Sequence, residues 1–172
     1  MRRLAAVVLT MLLAGCAAET PVKTPAMYVN LAEPGARLDA EAAASMISQY
    51  RQKNGLGGVT VDPALMRLAE ARATAMASAN RLDRHVRAPL HVRAPLTERL
   101  NRAGYPAALA VENVSAGDYT LAEAFSGWRD SPPHRANMLA KGVTKLGIAA
   151  SYAPNSKYKV FWTLILAKPN AV

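Results

Sequence analysis

The chain has three histidines, and each sits where it could carry chemistry. His134 lies in SPPHRANML, Ser131–Leu139. Two prolines follow Ser131, which holds that residue extended as a helix N-cap requires and puts Pro132 at the first helical position. His134 then falls in the first turn, where the helix dipole disfavours the protonated ring. A neutral imidazole suits a metal ligand or a general base; it equally suits packing or capping. Glu112 interrupts the apolar run AVENVSAG, Ala110–Gly117. A carboxylate in such a run reaches the surface, or is buried with a cation, a metal or backbone N–H groups. The other two histidines belong to a hexamer that occurs twice, HVRAPL at His85–Leu90 and again at His91–Leu96. Spacing alone does not bring residues 85, 112 and 134 together, and no short metal motif such as HExxH is present.

The elements that would have to position these residues are readable in outline. A helix is expected over 38–54, capped by Asp39, with Met46, Ile47 and Tyr50 on one face and Gly55 ending it. Asp62-Pro63 starts a second helix, a capping carboxylate followed by proline at the first position. Leu65, Leu68, Ala69, Arg72, Ala73 and Met76 then recur at helical spacing, and that helix ends near Leu82. Arg72 is the exception in an otherwise apolar stripe. A short helix over 97–104 stops at glycine, and 108–114 is extended. Two further helices cover 121–128, with Leu121, Phe125 and Trp128 on one face, and 131–140. Residues 145–152 and 157–166 read as strands around the turn APNS. The second contains YKVFWTLIL, almost continuously apolar, as a strand covered on both faces would be. Helices first and strands last, without strict alternation, give the α+β class.

The N-terminus, MRRLAAVVLTMLLAGC, has two arginines and an apolar run too short to span a bilayer, then small residues. It reads as a signal peptide over 1–16. Its last four residues, Leu13-Ala14-Gly15-Cys16, resemble the lipobox of bacterial lipoproteins, which implies cleavage before Cys16 and acylation of that residue. Several acyl chains on one residue make a stable membrane anchor. Ala17 then implies the outer membrane, facing the periplasm, if the organism has one. Cys16 is the sole cysteine, so a domain without disulfides is expected. Residues 17–37, with three prolines and little periodicity, read as a flexible tether, and 38–168 as the domain. The net charge is +9, of which Arg2 and Arg3 fall in the cleaved segment. The remaining basic excess suits anionic envelope polymers or lipid headgroups; the cations are scattered, and no nucleic-acid motif or partner is indicated.

Five stretches, in order, resemble the CAP superfamily of cysteine-rich secretory, antigen 5 and pathogenesis-related proteins, in its bacterial, disulfide-free (SCP-like) branch. They are DPALMRLAEARATAMA, AVENVSAG, FSGWRDSPPHRANML, KLGIAA and FWTLILA. The resemblance implies an α-β-α sandwich, a small antiparallel sheet between helical layers, and a cleft of histidines and acids that holds zinc or another divalent cation in some members. Glu112 matches the glutamate of the family's E-N motif and His134 its second histidine. The first histidine corresponds to His85 when counted from the preceding helix and to His91 when counted back from Arg99-Leu100; His85 is preferred, because a helix end fixes the residues after it more tightly than a loop does. The family's second acid has no direct match: Ser131 stands there, with Asp130 beside it as the available substitute. No catalytic residue is assigned with these ligands; His85, Glu112 and His134 are the cleft candidates. Two functions are implied, an envelope- or ligand-binding lipoprotein and a metal-dependent hydrolase using the same cleft. The incomplete acid pair favours the first.

Overall fold

The computed structural model describes residues 24–82 and 95–170. Helix α1 (Ala40–Lys53) begins where Asp39 accepts the N–H of Ala42. It ends where Gly55 turns at φ +73° and Leu56 N–H reaches back to the Arg51 carbonyl. A two-residue strand β1 (Thr60–Val61) leads to α2 (Pro63–Ala79). Asp62 caps α2 by accepting from both Ala64 N–H and Leu65 N–H. After α3 (Leu96–Arg102) come the long strand β2 (Ala107–Ala116), α4 (Leu121–Asp130) and α5 (Pro132–Met138), then the strands β3 (Lys145–Tyr152) and β4 (Val160–Pro169).

The strands form one sheet in the order β1-β3-β4-β2. The β3–β4 and β4–β2 pairs are antiparallel, but β1 pairs parallel to β3. The sheet is therefore mixed, and the all-antiparallel expectation is corrected at one short edge. A sandwich of helices around a sheet, α+β, is what the chain adopts. β4 is central and almost wholly buried, as its unbroken apolar run requires. It starts three residues later than expected. Lys159 adopts φ +64°, its N–H donates to Ser156 Oγ, and its carbonyl accepts from Ala153 N–H, so the chain is still turning there.

Period-two alternation divides the core. Leu146, Ile148, Leu164 and Leu166 face one side with Ala43, Ala44 and Ile47 of α1 and Leu121, Ala124 and Trp128 of α4. Trp128 and Trp162 meet there edge to face, with ring centroids 6.3 Å apart. On the other side Ile165, Ala149 and Ala167 pack on Leu65, Ala69 and Ala73 of α2, and Phe161 on Met76. The stripe of α2 is thus the expected one, Arg72 included, which is 5% exposed. Burying each large side chain in these layers contributes about 1.5–3 kcal/mol.

Two readings are corrected by the fold. Residues 24–37, assigned by composition to a tether, lie on the domain instead. They contain a 3-10 turn (Ala26–Tyr28), Leu31 is buried, and its N–H donates to the Tyr119 carbonyl at 2.8 Å. The apolar residues Val29, Leu31, Ala32 and Ala36 join the core there, which is a sufficient physical reason. Ser131 is extended and precedes α5 as expected, but its hydroxyl makes no capping bond.

Asp62 has a second task. Its other carboxylate oxygen accepts from the Tyr105 hydroxyl at 3.1 Å, tying the α3–β2 connection to the start of α2. Burial first, then the charge and hydrogen bond of Asp62, push the Tyr105 hydroxyl up from 10.0 to about 12. Folding therefore favours the protonated phenol. Stability is independent of this group below pH 10 and falls between pH 10 and 12, where the unfolded chain has lost the proton and the folded chain keeps it. In alkaline unfolding curves, Tyr105→Phe should be less stable at neutral pH yet lose less across that window. Parallel curves for the two proteins would refute the assignment.

Candidate functional site

β2 lies at the edge of the sheet, with β4 on one side only. Gly117 N–H bonds the Val160 carbonyl in continuation of the β2–β4 register. The odd-numbered residues of β2 therefore bond β4, and the peptide groups of Ala110, Glu112 and Val114 face outward. At Glu112 that edge is covered by α5. Asn137 Nδ2 donates to the Glu112 carbonyl at 3.1 Å and to Asn113 Oδ1 at 2.9 Å. Asn113 Nδ2 in turn donates to the His134 carbonyl at 2.9 Å. The E-N and H-R-x-N stretches are thus laced together by two amide side chains, one of them, Asn113, fully buried. Trp162, two residues before Leu164 on β4, holds the next loop by donating its ring N–H to the Asp118 carbonyl.

Glu112 sits opposite Ile165 and so points to the α2 and α3 side of the sheet, while Asn113, opposite Leu164, points to the other. Arg99 of α3 meets it: Nη2 donates to Glu112 Oε1 at 2.7 Å, with Arg99 3% and Glu112 18% exposed at the side chain. Of the partners open to a carboxylate in this run, a cation is the one present. His134 is half-buried at the head of α5 and offers its carbonyl, not its ring, to the lacing. Asp130 stands apart. Arg129 grips both its oxygens at 2.8 and 2.9 Å, it is 66% exposed, and those hydrogen bonds hold its carboxyl below the usual range. His85, His91 and Cys16 lie outside the described residues.

Among the described residues, no three His, Cys, Asp or Glu side chains converge on a point where an ion could sit. The donor set offers Glu112 and His134, and Glu112 is already neutralised by a buried guanidinium that would face an incoming divalent cation. Of the candidate ligands, the described residues supply only Glu112 and His134, with Asp130 turned to Arg129. Nor does any described serine hydrogen-bond a histidine. Ser115 instead donates to Asp118 at 2.9 Å, a carboxylate three residues away in its own turn.

Arg99, Asn113 and Asn137 are absent from the residues that the sequence singles out. The signal for the asparagines was present: each follows a singled-out residue closely in sequence, and amides are the side chains able to satisfy an open strand edge. For Arg99 the signal is its place beside Leu100 on the inner face of a seven-residue helix.

A model of the cysteine-rich secretory protein (CAP) family matches residues 44–166, and the chain belongs to that family. Three solved structures share its fold. An extracellular protein containing an SCP domain from Bacillus anthracis aligns with TM-score 0.61 and 24% identity, over 74% of this chain and 39% of that one. An outer surface protein from Borrelia burgdorferi aligns with TM-score 0.65 and 16% identity, over 79% of this chain and 99% of that one. A cysteine-rich secretory protein from Staphylococcus aureus aligns with TM-score 0.55 and 15% identity, over 74% and 37%. The aligned part is thus well under half of the Bacillus and Staphylococcus chains and nearly all of the Borrelia one. Among curated proteins no sequence matches significantly.

Proposed function

We propose that the chain is an extracytoplasmic lipoprotein, anchored through Cys16, whose CAP domain is a binding module for lipid or anionic envelope polymers. The observation that carries the binding reading is the Arg99–Glu112 pair. The one acid of the cleft motif is held by a buried cation, and the two amides beside it bond to one another and to the backbone. Among the described residues the cleft is a polar surface in which His134 offers its backbone carbonyl to Asn113. Rigid, internally satisfied polar groups preorganise recognition. The net positive charge and the similar folds of an extracellular Bacillus protein and an outer surface Borrelia protein support the placement.

The test has two parts. On fractionation, the wild-type protein should pellet with membranes and Cys16→Ser should move to the soluble extracytoplasmic fraction; a variant that still pellets refutes the anchor. The intact lipoprotein should then bind isolated envelope fractions with an affinity that falls as salt rises. The competing reading is a metal-dependent hydrolase working through His85 or His91 with Glu112 and His134. It would replace the binding reading if divalent-ion-dependent hydrolysis were found and abolished by both Glu112→Gln and His134→Ala.

A further inference from the structure

Among the described residues, three of the five exposed large hydrophobic side chains, Met27 (36%), Tyr28 (57%) and Tyr119 (39%), lie where the chain enters the domain. The bond from Leu31 N–H to the Tyr119 carbonyl brings Tyr119 within a few residues of the turn that carries Met27 and Tyr28. Leu31 and Trp162 hold this corner from beneath: Leu31 is buried, and the Trp162 ring N–H fixes the carbonyl of Asp118, the residue before Tyr119. The corner is thus a rigid platform that leaves amphipathic aromatic rings in water.

We propose that this corner lies against the lipid bilayer, with Tyr28 and Tyr119 seated among the headgroups. The proposal deepens the reading of Cys16 as the acylated residue and rests on it. Residues 17–23 separate Cys16 from the described chain; fully extended, the step from 16 to 24 reaches at most roughly 28 Å. A compact domain of this size is roughly 36 Å across. The link is shorter than the domain is wide, so the entry corner cannot turn to the far side of the molecule. Tyrosine, with an apolar ring and a hydroxyl that stays hydrated, is the residue that settles at this depth. Two of the local acids are engaged within the protein, while Glu33 is exposed. Asp118 accepts from Ser115 Oγ, and Glu123 accepts the N–H groups of Tyr119 and Thr120. Contact is therefore by ring insertion and is insensitive to salt, unlike the polymer binding above.

The experiment uses the acylated protein in vesicles of phosphatidylethanolamine and phosphatidylglycerol. Cys16 is consumed by acylation, so an environment-sensitive fluorophore can be placed by Tyr28→Cys, by Tyr119→Cys and, as control, by Leu109→Cys. Leu109 is about as exposed as Tyr119 but lies toward the other end of β2, roughly 27 Å from Gly117. The expected result is a blue-shifted, several-fold brighter emission at positions 28 and 119, unchanged by salt and quenched by a lipid-borne quencher, with water-like emission at 109. Water-like emission at 28 and 119 on protein that floats with the vesicles overturns the orientation while the anchor stands. Protein that does not float overturns the anchor, and the orientation with it. Because both tyrosines are at the surface, substitution at either leaves the core intact, and each reports independently.

Discussion

Gly147→Ala should unfold the domain well below the wild-type temperature. Gly147 lies on β3, facing α2, and a Cβ built there would stand 2.2 Å from the Leu65 carbonyl carbon and 2.3 Å from its oxygen. These are backbone atoms in the first turn of a helix whose N-terminus is pinned by Asp62 and Pro63. No rotamer change relieves the clash; α2 must lift from the sheet or β3 must bend. Leu65, Ala69 and Ala73 would leave Ile165 and Ala167 together, because the helix moves as a body. Overpacking costs about 1–3 kcal/mol where side chains can adjust, and more where they cannot, so we expect about 3 kcal/mol or above. For a domain of this length that lowers Tm by roughly 10 °C. Thermal unfolding followed by circular dichroism measures it, and a Tm within roughly 2 °C of wild type would show that α2 is not seated on Gly147.

A loss of similar size is expected for Arg51→Met. Arg51 is 1% exposed yet has no carboxylate partner among the described residues. Its guanidinium donates instead to four carbonyls: Gly57 at 2.9 Å, Met138 at 2.8 Å, Ala140 at 3.0 Å and Val143 at 3.3 Å. Two of these lie at the C-terminal end of α5, where a positive charge also meets the helix dipole. Burial lowers the Arg51 pKa, but guanidinium remains charged under any working condition. Methionine fills comparable volume and donates nothing, so four acceptors lose their partner at once, the bonds to Met138 and Val143 being buried and those to Gly57 and Ala140 part-buried. Each such loss costs about 1–3 kcal/mol, partly recovered by relaxation, and about 4 kcal/mol in total is expected. Arg51→Lys should recover part of it, since an ammonium reaches some acceptors but lacks the planar fork. Denaturant unfolding of the three proteins tests the ordering wild type, Lys, Met; equal stability of Lys and Met would show that the carbonyls are satisfied by other means. The same substitution frees the end of α5, so amide exchange should quicken at Asn137 and Met138 before it does in β4.

The elements legible in the sequence were those written in periodicity and caps. The Asp39 and Asp62 caps, the α2 stripe and the unbroken run of β4 each depend on neighbours in sequence, and the structure holds them as expected. What escaped was set by contacts across the chain. The parallel pairing of β1 is two residues long, too short for any pattern to announce. Residues 24–37 have a tether's composition, yet they fold because Leu31 and its neighbours find an apolar surface beside α4. At the site, Glu112 was recognisable as a carboxylate in need of a partner. Which partner it has depends on α3 arriving over β2, and nothing in the spacing of residues 99 and 112 fixes that. Arg51 was invisible for the same reason: its acceptors are backbone atoms as far away as Val143.

The lacing of β2 by Asn113 and Asn137 has a consequence for how the protein behaves in a crowd. An exposed edge strand is a template on which a second copy can add its own strand. By occupying the Glu112 carbonyl and laying α5 along the edge, the asparagines interrupt that template near its middle. Along a strand with no charged residue from Ala107 to Val111 to repel a neighbour, two amide groups and the helix they hold are what blunt the edge beside Glu112.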